Sequence, residues 1–192
     1  DIISSIKKLK NFDVDLGILS VCNPDFSPEL LYNHFVFDLK FKHFDVLMPD
    51  VTFEDSHIPK IAEYYKNLFD LWYGDGVTKP SDIRVMNSFI LGLLGYNTTS
   101  EGLGYGPIQT LTMLTDGKLE PLDVLRISSN GSTNTTIDIF NNEIQDVTND
   151  ETWLNAYYAS LNLNKKCNTC EFKNACGGGY LPHRYSLKNG YD

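Results

Sequence analysis

The sequence predicts an α/β fold in which a parallel sheet with helices is followed by a small α+β region containing a β-hairpin and a cysteine-rich loop. Three observations support this prediction: a strand–helix–strand unit between Val14 and Met48, a hairpin pattern around Asp116-Gly117, and three cysteines within ten residues near the C-terminus. Strand, helix and strand in this order indicate a parallel pair, because parallel strands need a long crossover connection.

The first half of the chain alternates helix-like and strand-like segments. Helical spacing of apolar residues predicts three helices, at 2–9, 61–72 and 83–94. Two apolar runs predict strands, at 14–21 and 44–48, and the first of them suits a strand covered on both faces. Between the two strands, Ser27-Pro28-Glu29 predicts a helix start, with serine as N-cap and proline at the first helical position. Two strands do not make a parallel sheet, so we expect the front of this chain to be the end of a larger α/β domain.

After Gly95 the pattern becomes rich in glycine and short β-type runs. The runs at 110–114 and 119–127 flank Asp116-Gly117 and predict the hairpin. Further along, a short strand and a helix are predicted, at 137–140 and 150–161.

Composition excludes several classes of protein. A formal net charge of -9 argues against a protein that neutralises nucleic-acid phosphates. The longest apolar run, 89–94, is far shorter than the roughly 20 residues that cross a bilayer. The first ten residues lack the apolar segment of a signal peptide. We therefore expect no nucleic-acid partner, no membrane partner and a cytoplasmic location.

The strongest chemical signal is Cys167-x2-Cys170-x5-Cys176, followed by three glycines. A Cys-x2-Cys turn points two thiolates the same way, and the third cysteine can approach a cluster from another side. Glycines allow main chain to pass close to a bulky inorganic group. Thiolate ligands select zinc or iron–sulfur centres, and zinc would need a fourth ligand, for which His183 is available. The spacing also leaves open three reduced cysteines that bind nothing.

Two further residues at the predicted sheet are candidates for a site. Asp50 follows the end of a strand, where α/β proteins place their sites, so it is a candidate catalytic proton acceptor. A capping or solvated aspartate is the alternative. Cys22 also ends a strand, and we interpret it as a buried thiol that behaves as a small apolar side chain.

The segment from Cys167 to Ser186 resembles the C-terminal SPASM region of radical SAM peptide maturases. The most similar group modifies ribosomally made peptides and includes cyclophane-forming enzymes and relatives of the anaerobic sulfatase-maturating enzymes. Residues 189–192, Asn-Gly-Tyr-Asp, stand where that group usually has Asn-Gly-Phe-Asp. Three earlier segments are similar to the family as well: FDVLMPDV, LFDLWYGDG and LTDGKLEPLDVL.

The resemblance implies a division into two parts and a set of cofactors. Residues 1–95 would be the C-terminal part of a partial (β/α) radical SAM barrel, and 96–192 a SPASM domain truncated at its end. The three clustered cysteines would bind an auxiliary [4Fe-4S] cluster, and the full-length enzyme would also bind S-adenosyl-L-methionine. The family's Cys-x3-Cys-x2-Cys motif lies upstream of the residues present here. Leu122 stands where SPASM domains often carry another cysteine, so a second auxiliary cluster is not expected.

By this resemblance, the whole enzyme would cleave S-adenosyl-L-methionine to a 5′-deoxyadenosyl radical that abstracts hydrogen from a peptide substrate. This chain would supply the last barrel strands, part of the adenosyl pocket near 17–21 and the auxiliary site. It would be inactive without the missing N-terminal half. The alternative is a zinc-stabilised peptide-binding module without catalytic activity. A thiol oxidoreductase is disfavoured, because Cys167 and Cys170 do not lie at a strand-to-helix turn that would lower a thiol pKa.

Overall fold

The chain folds into two compact units. The computed structural model describes residues 1–75, 81–98 and 100–191. The first unit comprises two ranges, Asp1–Pro49 and Pro59–Asn87, and the second comprises two others, Asp50–Ile58 and Ser88–Asp192. The functional boundary placed at residue 95 stays a prediction.

The first unit contains a three-stranded parallel sheet. Its strands are β1 (Gly17–Val21), β2 (His43–Leu47) and β3 (Asp82–Ile83), in the order β1-β2-β3. Gly17 lies opposite His43, which in turn lies opposite Asp82. Three helices accompany the sheet: α1 (Ile2–Leu9), α2 (Pro28–Asn33), which continues as a π-helical segment (His34–Asp38), and α3 (Ala62–Asp75). The predicted parallel α/β architecture is therefore confirmed.

The crossover helix α2 begins as the sequence predicts. The side chain of Ser27 accepts a hydrogen bond from the backbone N–H of Leu30 at 3.4 Å, and Pro28 occupies the first turn. The helix then buries Tyr32 against Phe44 of β2, with ring centroids 6.3 Å apart in an edge-to-face arrangement. This aromatic contact packs the crossover against the sheet.

Strand β1 differs from the prediction that it is covered on both faces. Leu19 is 66% exposed and Val21 is 58% exposed, in an alternating pattern along the strand. The reason is that β1 is an edge strand, paired on one side with β2 and on the other with no described strand.

A buried carboxylate joins the sheet to the next helix, α4 (Arg84–Leu93). Asp45 of β2 accepts hydrogen bonds from Arg84 Nε at 2.7 Å and from the backbone N–H of Val85 at 3.0 Å. Buried carboxylates require such partners, because an unpaired charge in the interior is costly. The contact fixes the first turn of α4 to the central strand β2.

The second unit contains the predicted hairpin, but its strands are short. β4 (Thr112–Met113) pairs antiparallel with β5 (Leu119–Glu120), and Gly117 has φ +84° as an Asp-Gly turn requires. The predicted strand at 119–127 ends at Glu120, because Pro121 has no N–H to donate, and a 3₁₀-helix (Asp123–Ile127) follows. The predicted strand at 137–140 is a single bridge between Lys118 and Asp138.

The rest of the second unit is helical. It comprises a 3₁₀-helix (Ile144–Asn149), α5 (Glu151–Ala159), α6 (Lys165–Asn168), α7 (Lys173–Cys176) and α8 (Leu181–Arg184). Leu122, 2% exposed, packs with Leu125, Ala156 and Leu181 in one apolar cluster. Leu122, which stands where SPASM domains often carry another cysteine, is thus a core residue in this fold. Among the described residues, none of the helices combines the length and apolar character needed to cross a membrane.

Candidate functional site

The three clustered cysteines lie on two short helices. Cys167 is in α6, and the N-cap residue Asn164 accepts a side-chain hydrogen bond from the Cys167 N–H at 3.0 Å. The Cys170 N–H donates to the Cys167 carbonyl at 3.1 Å, which closes the predicted Cys-x2-Cys turn. Cys176 ends α7, and its N–H donates to the Phe172 carbonyl at 2.8 Å. Each cysteine is therefore held by local main-chain bonds.

The thiols have the chemistry of iron–sulfur or zinc ligands. Cys167 is half-buried, Cys170 and Cys176 are exposed, and none of them forms a disulfide. Cys22 contrasts with them: it is 4% exposed, and desolvation by burial raises the pKa of its thiol to about 11. A thiol with so high a pKa stays protonated, as a small apolar side chain would require. The clustered cysteines, by comparison, are open to a metal from solvent.

In this arrangement the thiols do not yet surround a single ion. Among the described residues, no three side chains of histidine, cysteine, aspartate or glutamate form a group that could hold one metal ion. His183, the candidate fourth zinc ligand, packs edge-on against Tyr180 with ring centroids 5.0 Å apart. Three thiolates match either an iron–sulfur cluster, which is bound by several thiolates, or a zinc site that adds a fourth ligand.

The first glycine after Cys176 allows two loops to pack closely against each other. Gly177 has φ +60°, and a Cβ there would lie 1.9 Å from the carbonyl oxygen of Gly104. Only glycine fits such a position. The glycines suggested a close approach of the chain to an inorganic group. In the structure, the close approach is to the main chain of Gly104.

Two further contacts fix the cysteine loop within the second unit. Gly92 of α4 lies so close to α7 that a Cβ on it would be 2.5 Å from the Cα of Ala175. On the other side of the cysteines, Leu181 and Pro182 of α8 are buried. The loop is therefore anchored before and after the three glycines.

Asp50 hydrogen-bonds to the residue that follows those glycines. The Tyr180 hydroxyl donates to Asp50 Oδ1 at 2.7 Å. Burial raises the pKa of Tyr180, and the hydrogen bond to Asp50 and the charges of Asp50, Glu101 and Asp123 raise it further. Tyr180 is consequently a stable phenol that donates to Asp50 at neutral pH. The sequence offered no signal for this pairing, because the two residues are 130 positions apart.

The residues after Asp50 form further hydrogen bonds with the residues that follow Tyr180. The Phe53 N–H donates to the Tyr185 carbonyl at 3.0 Å, and the Leu187 N–H donates to Glu54 Oε1 at 2.7 Å. Together with the Asp50–Tyr180 bond, these contacts join residues 50–58 to the segment that follows the cysteine loop. The structure thus places Asp50 and the cysteines in one unit, connected through Tyr180.

Replacing Tyr180 by phenylalanine is expected to lower the free energy of unfolding by about 1 kcal/mol at pH 7, because the hydrogen bond to Asp50 is lost. A phenol whose folded-state pKa is raised contributes stability below its unfolded pKa of about 10, and this contribution is lost as the pH rises above that value. Urea unfolding between pH 8 and 11 should therefore show the gap between wild type and Tyr180→Phe closing at alkaline pH. A gap that stays constant through pH 11 contradicts the prediction, and Tyr96→Phe, at an exposed position, is the control.

The fold is similar to that of a solved radical SAM/SPASM enzyme. One match is native anSMEcpe, an anaerobic sulfatase-maturating enzyme, solved with bound AdoMet and Cp18Cys peptide. Its TM-score is 0.81 and its sequence identity to this chain is 17%. The match covers 99% of this chain and 56% of that one. Native anSMEcpe with bound AdoMet has a TM-score of 0.79 at 17% identity and covers 95% and 52%. At this identity the likeness shows the fold, and it confirms the predicted one.

The chain spans about half the length of the solved structures that it matches. No protein-family profile matches it, and no curated protein sequence matches it. The activity and ligands of the whole protein are therefore proposals.

Proposed function

We propose that this chain is the C-terminal part of a radical SAM/SPASM enzyme that modifies a ribosomally made peptide. The observation that carries the proposal is the match of 99% of the chain to 56% of an enzyme solved with both AdoMet and a peptide bound. S-adenosyl-L-methionine is accordingly the proposed cofactor of the full-length protein, and a peptide its proposed substrate. The missing N-terminal half would supply the radical, and this chain would be inactive without it.

The open edge of β1 supports this proposal. Leu19 and Val21 of that strand are largely exposed, as are Phe12 and Val14 before it. Exposed apolar residues beside an unpaired strand edge favour a partner that completes the sheet. A parallel strand from the proposed N-terminal half would pair with the edge of β1, and elements packed on the faces of the extended sheet would cover these side chains.

Cys167, Cys170 and Cys176 are the proposed ligands of an auxiliary [4Fe-4S] cluster, which would take up an electron or hold the substrate. We propose Asp50 as the acceptor of a substrate proton. The hydrogen bond from Tyr180 fixes one carboxylate oxygen of Asp50 and leaves the other for this role. Reduced thiols of this kind persist in the cytoplasm, which is the proposed location.

Metal analysis of the chain purified without oxygen tests the proposal. We expect iron and sulfide in stoichiometric amounts and a brown colour, both lost in Cys167→Ala and in Cys176→Ala. Cys22→Ala is the matched control, because the Cys22 thiol is buried in the other unit. We expect this substitution to leave the iron content unchanged.

Two outcomes would contradict the cluster. Stoichiometric zinc in place of iron would favour the alternative function, a zinc-stabilised peptide-binding module. His183 is the candidate fourth zinc ligand and would then be the residue to substitute. Protein without metal and with an unchanged fold would leave the cysteines without the proposed role.

A further inference from the structure

The second unit contains a cavity that the proposed cluster and Asp50 do not use. It has a volume of about 480 Å³ and is lined by residues from 97–98 and 100–110 together with Ser160. This volume lies within the range of roughly 300–1,000 Å³ that ligand sites occupy. The cavity is therefore large enough to hold part of a ligand.

The wall of the cavity is held in place on two sides. Ser160, just after α5, donates a hydrogen bond to the Gly106 carbonyl, and the Ile108 N–H donates to the Tyr157 carbonyl at 3.0 Å. On the side of the cysteine loop, the Tyr105 N–H donates to the Asn174 carbonyl at 3.2 Å. The cavity is thus preformed, and one of its walls contacts the loop that carries the cysteines.

The segment 109–110 presents unused main-chain groups in this wall. Both residues line the cavity, and neither forms a backbone hydrogen bond with another described residue. Ile108 before them is buried, and Leu111 after them packs against the apolar cluster of Leu119 and Trp153. The segment is therefore held at both ends, and it leads into β4, whose second edge pairs with no strand of the described residues.

The chemistry of the wall selects among ligands. The hydroxyl and amide side chains of Asn97, Ser100, Gln109 and Thr110 provide donors and acceptors in a mixed pattern, whereas the Thr98 hydroxyl already donates to the Ser100 and Leu103 carbonyls. Among the described residues of the wall, Glu101 is the one with a charged side chain. A phosphate-bearing ligand would lack a cationic partner there, whereas peptide main chain matches both the mixed polar wall and the open strand edge.

We propose that an extended peptide, neutral or basic in charge, pairs with residues 109–110 as an added strand and places one side chain in the cavity. This proposal deepens the proposed function, on which it rests, by assigning the part of the chain that holds the peptide substrate. Because the wall contacts the cysteine loop, a peptide bound here lies beside the proposed auxiliary cluster. Main-chain pairing supplies affinity, and the cavity supplies selectivity for one side chain.

Selection from a displayed library of random 12-residue peptides on the immobilised full chain tests the site. We expect enriched peptides of neutral or positive charge whose synthetic versions bind the wild type, as measured by fluorescence anisotropy. Thr110→Pro removes the main-chain N–H of the pairing edge, and Gln109→Trp fills the cavity. Each is expected to weaken binding at least tenfold.

Thr115→Pro is the matched control. Thr115 is the second residue of the turn in which the Gly117 N–H donates to the Leu114 carbonyl, a position that favours proline, and it lies outside the cavity. We expect its peptide affinity to equal that of the wild type. Gln109→Trp keeps the test valid if Thr110→Pro does not fold, and circular dichroism reports folding for every variant.

The outcomes separate this inference from the proposed function. An absence of enriched peptides, or enriched peptides that bind the 109 and 110 variants as tightly as the wild type, overturns the peptide site. Iron bound by the cysteines together with such a result would leave the proposed enzyme class standing. Peptide binding lost in the variants, in a chain without iron, would retain the peptide site and contradict the cluster.

Discussion

Replacing Gly177 by alanine is expected to lower the free energy of unfolding by about 3 kcal/mol and to abolish the proposed binding of iron by the cysteine loop. The new Cβ would lie 1.9 Å from the carbonyl oxygen of Gly104, so two segments of main chain must move apart. Steric overpacking costs roughly 1–3 kcal/mol, and a non-glycine residue at φ +60° adds about 1 kcal/mol. Because Gly177 directly follows Cys176, the displacement changes the position of that thiol.

The glycine at 179 provides the matched control for this prediction. Gly179 has φ +89°, but a Cβ there meets no atom within 4 Å. Gly179→Ala therefore carries the backbone strain of the first substitution without its clash. Urea unfolding of both variants, with iron content measured on each, isolates the contact between the two loops. Equal destabilisation by the two substitutions would contradict a role for that contact.

The sequence predicted the first unit well, because its signals are local. The cap at Ser27 and the proline after it act within one turn of α2, and the parallel pairing of β1 with β2 follows from the crossover between them. Exposure is not a local property. The apolar run of β1 matched a strand covered on both faces, yet Leu19 is exposed, because cover depends on which strands and helices lie beside it.

In the second unit the sequence pattern overestimated strand length. Residues 119–127 have the apolar content of a strand, but Pro121 stops the ladder and the chain turns into a 3₁₀-helix. Residues 137–140 are rich in strand-forming side chains, but Asp138 accepts hydrogen bonds from the N–H groups of Phe140 and Asn141, which favours a turn over a strand. Local side-chain bonds thus outweighed β propensity.

The sequence indicated candidate site residues but not the contacts between segments. Spacing made Cys167, Cys170 and Cys176 candidate ligands and the position after a strand made Asp50 a candidate acceptor, and these roles stay predictions. The hydrogen bond from Tyr180 to Asp50 and the contact of Gly177 with Gly104 join residues far apart in sequence. Such contacts depend on how the whole unit packs, so no pattern within one segment indicates them. The same limit applies to the cavity, whose wall combines residues of 97–98 and 100–110 with Ser160.

Replacing Asp150 by alanine is expected to lower the free energy of unfolding by about 3 kcal/mol and to weaken peptide binding in the proposed cavity. Asp150 is 8% exposed, and its carboxylate accepts hydrogen bonds from the N–H groups of Trp153 at 3.1 Å and Thr136 at 2.9 Å. The first bond caps α5 and satisfies a buried donor, whose loss costs about 1–3 kcal/mol, and the part-buried bond from Thr136 adds about 1 kcal/mol. Because Ser160 and Tyr157 hold the cavity wall, fraying of α5 reaches the proposed peptide site.

The pH dependence of stability distinguishes the charge of Asp150 from its shape. Burial raises the pKa of this carboxyl, but the hydrogen bonds from Thr136 and Trp153 outweigh burial and hold the pKa below its ordinary value. A depressed folded-state pKa contributes stability above the unfolded value of about 4, and this contribution is lost as the pH falls through the folded-state pKa. Asp150→Asn keeps the size of the side chain and cannot ionise. Its deficit in unfolding free energy should be constant from pH 7 to pH 5 and should shrink below pH 4, whereas a deficit unchanged at pH 2.5 would show that the carboxylate charge does not stabilise this end of α5.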